Sequence, residues 1–260
     1  LFRSDMTLTR RILSLAVPAF AALVAQPLMM LADTWIVGLL GTVPLAGLGL
    51  GSGLLTTVTG LMIFLAYGST AVVARRIGAG EKVRGVELGV QAMWLAALIG
   101  VVAGTTAWLT APLLVSALGG AGEVHAQAVA YLRWSLPGLP GMLVMLAATG
   151  TFRGLADART PLVLSIGAAA LNLVLNVALV LRLGLGIGGA GLGTALAETA
   201  LGLTAAALVA RRARRLDARL RPRGHEMMGS LAVGQEIVHN QHLVGGVEIG
   251  LGDEDIVELL

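Results

Sequence analysis

Asp33, Asn172, Asn176, Thr194 and Glu198 stand where apolar residues are expected. Asp33, in the run LMMLADTWIVGLLG, is the only charged residue between Arg11 and Arg75, a stretch long enough to cross a membrane twice. An ionised carboxylate at mid-membrane costs between ~3 and ~10 kcal/mol depending on how far water follows it, so such an acid marks function by default. Its alternatives are solvation near the end of its span or a bond to a neighbouring helix. Asn172 and Asn176 are four residues apart and share one helix face. Their amides can offer carbonyl oxygens to a cation, donate to a carboxylate, or simply join helices. Thr194 and Glu198 are likewise one turn apart, and Glu198 is a second intramembrane acid. The five residues are expected to line one polar cavity.

No enzyme signature accompanies them. HExxH and GxSxG are absent, no histidine falls in a helical core, and His239-x-x-His242 alone is too little for a metal site. Cysteine is absent, which excludes disulfides, thiol nucleophiles and thiolate metal sites. No enzyme, metal or cofactor is expected.

The elements that must position these residues are membrane helices. The chain has 260 residues, 56% hydrophobic and 13% charged, with mean hydropathy +0.85, far more apolar than a soluble domain. An all-α fold with six spans is expected, at about 11–38, 43–74, 88–111, 126–152, 161–182 and 189–210. The first apolar run lacks the features of a cleaved signal peptide. A cytoplasmic N-terminus puts Arg3, Arg10, Arg11, Arg75, Arg76, Lys82, Arg84, Arg153, Arg159 and the seven arginines from Arg211 to Arg223 inside, leaving only Arg133 and Arg182 outside. Five spans would lose that asymmetry. The Arg-rich stretch RRARRLDARLRPRG is read as the end of a membrane helix rather than a nucleic-acid site.

Pro18 is expected to kink the first span, and Pro137 and Pro140 the fourth. The first two spans are long enough to tilt or bend. Small-residue spacing such as Gly100-x-x-x-Gly104 fits close helix contact. Gly186-x-Gly188-x-x-Gly191 matches a dinucleotide fingerprint but joins two spans, not a strand and a helix, so no Rossmann unit is expected.

Three stretches, LAVPAFAALVAQPLMMLADTWIVGLLGTVPLAGLGLG, GTFRGLADARTPLVLSIGAAALNLVLNVALV and GIGGAGLGTALAE, resemble multidrug and toxic compound extrusion (MATE) transporters of the MOP superfamily. The bacterial branch named for DNA-damage-inducible protein F is the nearest in pattern, and the likeness covers about residues 8–215. The resemblance implies one six-helix lobe of a two-lobe, cation-coupled antiporter that exports amphipathic or cationic drugs across the cytoplasmic membrane, with H+ or Na+ as coupling ion. It places Asp33 on the first-helix acid that binds the proton or sodium, and Pro18 on the proline whose bend responds. Tyr131, Asn172 and Thr194 fall on polar members of the same network, with Asp33 and Asn172 as sodium ligands where sodium is used. Asn176 departs, since related members often carry an aspartate there, which leaves Glu198 as the alternative second acid.

Residues 1–224 are read as this lobe with a basic cytoplasmic end, and residues 225–260 as an atypical acidic tail of disordered composition. Up to Gly224 there are 18 Lys and Arg against 8 acids, whereas His225–Leu260 holds 7 acids and no Lys or Arg. Alternating access needs a second repeat, so the chain is read as a truncated copy, a half that pairs with itself, or a non-transporting membrane fragment. A lipid or polysaccharide flippase of the same superfamily is the other alternative; its substrate would want a basic cavity lining, which is not expected here. Membrane lipids are expected partners and nucleic acid is not.

Overall fold

In a computed structural model, residue 24 and residues 27–222 are described. Pro18, most of the first expected span, His239, His242 and the 225–260 tail lie outside the described residues. Among those described, five helical spans are long and apolar enough to cross a membrane, one fewer than expected. The first expected span is represented by α1, Pro27–Gly38, too short by itself to cross.

The chain then forms α2 (Thr42–Leu61), α3 (Phe64–Gly78), α4 (Lys82–Ala117), α5 (Gly122–Ser135), α6 (Leu139–Gly154), α7 (Arg159–Asn176) and α8 (Gly186–Arg215). Two crossings are broken. Thr42–Gly78 bends at Met62–Ile63, between α2 and α3. Gly122–Gly154 is interrupted by a 3₁₀ turn at Leu136–Gly138, where Pro137 and Pro140 each remove a backbone donor. Several helices outrun their apolar segments. Charged residues such as Lys82, Arg84 and Glu87 lie within the first turns of α4, where hydropathy sees only the edge of a span.

Lipid offers no hydrophobic drive for helix association, so close packing must hold the lobe together. Glycine makes that possible where α6 and α8 cross: a Cβ on Gly202 of α8 would collide with the Gly141 backbone of α6. Between α3 and α6, Ser69 donates to the Ala147 carbonyl at 3.2 Å and Thr70 to the Gly150 carbonyl at 3.1 Å. Leu132, Leu136, Leu139, Leu143 and Phe152 fill the centre. The periphery is equally apolar, with Leu61, Leu109, Leu113 and Leu203 exposed, as a lipid-facing surface requires.

Charge separates by end. Arg75, Arg76, Lys82, Arg84, Arg153, Arg159 and the last turn of α8 share one end, and Arg182 lies at the other. At the basic end, Arg212 pairs with Asp157 at 3.0 Å, and Asp157 also accepts from the Thr160 N–H and hydroxyl. Partial burial raises the Asp157 pKa, but those donors and the Arg212 charge outweigh it, and the net shift is below the usual aspartate value. Past α8 the chain lies back on α4, where Glu87, Gln91 and Trp94 bond the backbone of Arg219, Arg221 and Leu220.

Candidate functional site

Asp33 is carried by α1, five residues before its end, and is 7% exposed. Asn176 of α7 donates its amide to Asp33 Oδ1 at 2.5 Å. The other N–H of the same amide reaches Asn172 Oδ1 at 3.2 Å. Asn172 in turn donates to Thr194 Oγ1 at 3.2 Å, and the Thr194 hydroxyl donates to the Ala190 carbonyl one turn back along α8. The chain of donors therefore has a direction, and one branch ends on the carboxylate. Tyr131 of α5 closes the cluster from another side, its phenol turned toward Thr194 and within electrostatic reach of Asp33 and Glu198.

Local sequence explains how these side chains fit. The Asn172 and Asn176 spacing puts both amides on one face of α7, and the helix widens into a π turn immediately afterwards, Val177–Arg182. Gly193 leaves α8 without a side chain where Asn176 lies, since a Cβ there would collide with Asn176 Oδ1. Gly51 does the same for the Tyr131 ring, whose Cδ1 would lie 2.6 Å from an added Cβ. Neither glycine stands out in a chain that has 36. Asn176 Oδ1 remains buried with no hydrogen-bond partner among the described residues, an unusual state for an amide oxygen.

Glu198 is set apart from this cluster. One turn beyond Thr194, it is 6% exposed and has no hydrogen bond or ion pair among the described residues. It opens on a cavity of about 410 Å³ lined by Met29, Tyr67, Met142, Met145 and Arg153. The structure thus brings Asp33, Asn172, Asn176 and Thr194 into one hydrogen-bonded group, with Tyr131 packed beside it, and places Glu198 on a separate cavity. Arg153 is a correction: it gives that cavity a basic residue where none was expected. Its position after an apolar run marks it as a helix-end charge, and it reaches the cavity while staying exposed in the last turn of α6. Among the described residues no group of His, Cys, Asp and Glu is arranged to hold a metal ion.

A membrane lobe built around a buried, amide-bonded carboxylate has the makings of a transporter unit. The MatE family model matches residues 18–178, and the chain belongs to that family. Among its relatives are a probable multidrug resistance protein NorM from Pseudomonas syringae pv. tomato, 31% identical over 75% of this chain and 43% of that protein, and DNA damage-inducible protein F from Escherichia coli, 32% identical over 72% of this chain and 41% of that protein. The solved outward-facing form of a multidrug resistance MATE transporter of the MOP superfamily superposes with TM-score 0.77 at 28% identity, covering 86% of this chain and 51% of that one. The chain spans about half the length of such structures and 36–43% of the length of the curated relatives it matches.

Proposed function

We propose that this chain is the ion-coupling lobe of a cation-driven exporter of amphipathic or cationic compounds, its N-terminus cytoplasmic and its spans in the cytoplasmic membrane. The observation that carries this reading is the carboxylate of Asp33 held by Asn176 in a buried cluster, in a family whose members include proteins named for multidrug resistance. The ionised carboxylate accepts from the Asn176 amide. A proton on Asp33 makes the carboxyl a donor, and a rotated Asn176 amide would then offer it the oxygen that now lacks a partner. Sodium would instead use oxygens of Asp33 and Asn172. Either occupant changes the hydrogen bonds between α1 and α7, and so biases the position of α1. We assign the bend to Pro18, on the same expected span and outside the described residues.

The inward ion gradient supplies the work, about 2.3 kcal/mol per charge per 100 mV from the potential alone. Alternating access requires a facing lobe, supplied by further chain or by a second copy. Glu198, opening on the second cavity, is the acid we assign to the passage of positively charged cargo. The test is accumulation of a fluorescent lipophilic cation in cells producing the chain together with its facing lobe. Asp33→Asn is expected to abolish export while membrane abundance stays unchanged; export equal to that of the unsubstituted chain would sink the assignment.

A further inference from the structure

A groove on the membrane-facing side, between α4 and the α5–α6 junction, is independent of both acids. It holds about 330 Å³ and is lined by Gly100, Val101, Gly104, Trp108, Pro137 and Pro140 among others. Gly100 lets the walls meet at its base, where a Cβ would lie 2.5 Å from the Pro140 Cα. Pro137 shapes the top. It has no N–H, so the Arg133 carbonyl loses the partner that an α-helix would provide. Trp108 takes that place, its indole Nε1 donating to the Arg133 carbonyl at 3.2 Å.

This bond pins the indole, and the Arg133 guanidinium sits over the ring, 5.5 Å from its centroid. Arg133 is exposed and has no carboxylate partner among the described residues. Its depth follows from the helix. Arg133 and Arg153 bracket the apolar part of one span, twenty residues apart, or about 30 Å at the helical rise, which is the thickness of a hydrocarbon core. With Arg153 at the basic end, Arg133 lies at the opposite membrane interface, and exposed Trp108 and Trp134 lie beside it as interfacial aromatics do. An unneutralised cation thus stands at the interface above an apolar trough that runs toward the membrane centre for about 12 Å, from Trp108 to Gly100.

We propose that the groove binds one anionic phospholipid, its phosphate on the Arg133 guanidinium and the upper part of an acyl chain between Trp108 and Gly100. Charge selects this occupant: the head must be negative and the body apolar. Native mass spectrometry of the chain released from phosphatidylcholine nanodiscs containing a minority of phosphatidylglycerol tests it. The wild type should retain one phosphatidylglycerol, and Arg133→Gln should lower that retention about tenfold, the value of a lost charge-assisted bond. Val101→Trp, which fills the trough without touching the cation, should lower it too. Arg182→Gln, at the other arginine of that end, should leave it unchanged. Equal retention in Arg133→Gln, or an equal loss in Arg182→Gln, overturns the site. A lipid-free dimer that persists in Arg133→Gln also overturns it, by giving the groove to a second copy.

Discussion

Asp33 and Glu198 are both buried acids of one lobe, and the lobe treats them in opposite ways. Asp33 accepts a hydrogen bond from Asn176, whose amide is itself placed by Asn172, so the carboxylate is built into the packing of α1, α7 and α8. Glu198 has no such partner among the described residues and faces a cavity. An acid bonded to a neighbouring helix can be switched by a change in protonation because its partner must rearrange. An acid without such a bond, beside open space, is free to meet a mobile ligand.

The largest expected effect comes from removing the donor. Asn176→Leu leaves Asp33 buried without its amide and should lower stability by about 2–3 kcal/mol, the cost of an unsatisfied charged group. The thermal unfolding midpoint in detergent reads it, and adding Asp33→Leu should recover part of the loss; a midpoint unchanged by Asn176→Leu would break the comparison. Glu198→Gln should act in the other direction. Replacing a buried carboxyl that has no hydrogen bond is expected to raise stability by about 1 kcal/mol, and a clear fall in the same midpoint would reveal a partner and erase the contrast.

The smallest effect lies at the basic end, outside both sites. Asp157→Asn should cost below about 1 kcal/mol because its arginine partner is largely exposed. The folded pKa of Asp157 is lowered, so its contribution is fully present above the ordinary aspartate range and is lost as pH falls through the folded value. The wild type and Asp157→Asn should therefore differ in unfolding midpoint near neutral pH and converge in acid. A difference that persists in acid would show that the carboxylate charge is not its source.

Much of the lobe was legible beforehand. Long apolar runs between charges gave the helical membrane class and the order of the crossings, and Pro137 with Pro140 marked the break between α5 and α6. Span ends were less legible, since α4 runs from Lys82 to Ala117 where hydropathy indicates 88–111. The backbone continues its hydrogen bonds past the edge of the hydrocarbon, and polarity does not report that. The π turn after Asn176 was not foreseen, because its residues Val177–Arg182 read like any apolar helix end.

By itself the sequence determined which polar residues share a face of their own helix: Asn172 with Asn176, and Thr194 with Glu198. That follows from the period of the α-helix alone. Only the tertiary structure decided how each helix is rotated against its neighbours. It sent Asn176 to Asp33 and Thr194 to Asn172, put Glu198 on the methionine-lined cavity, and set Arg133 over Trp108. Those rotations depend on which glycines let two backbones meet, and a glycine's partner is a contact across space that its position in the chain does not specify.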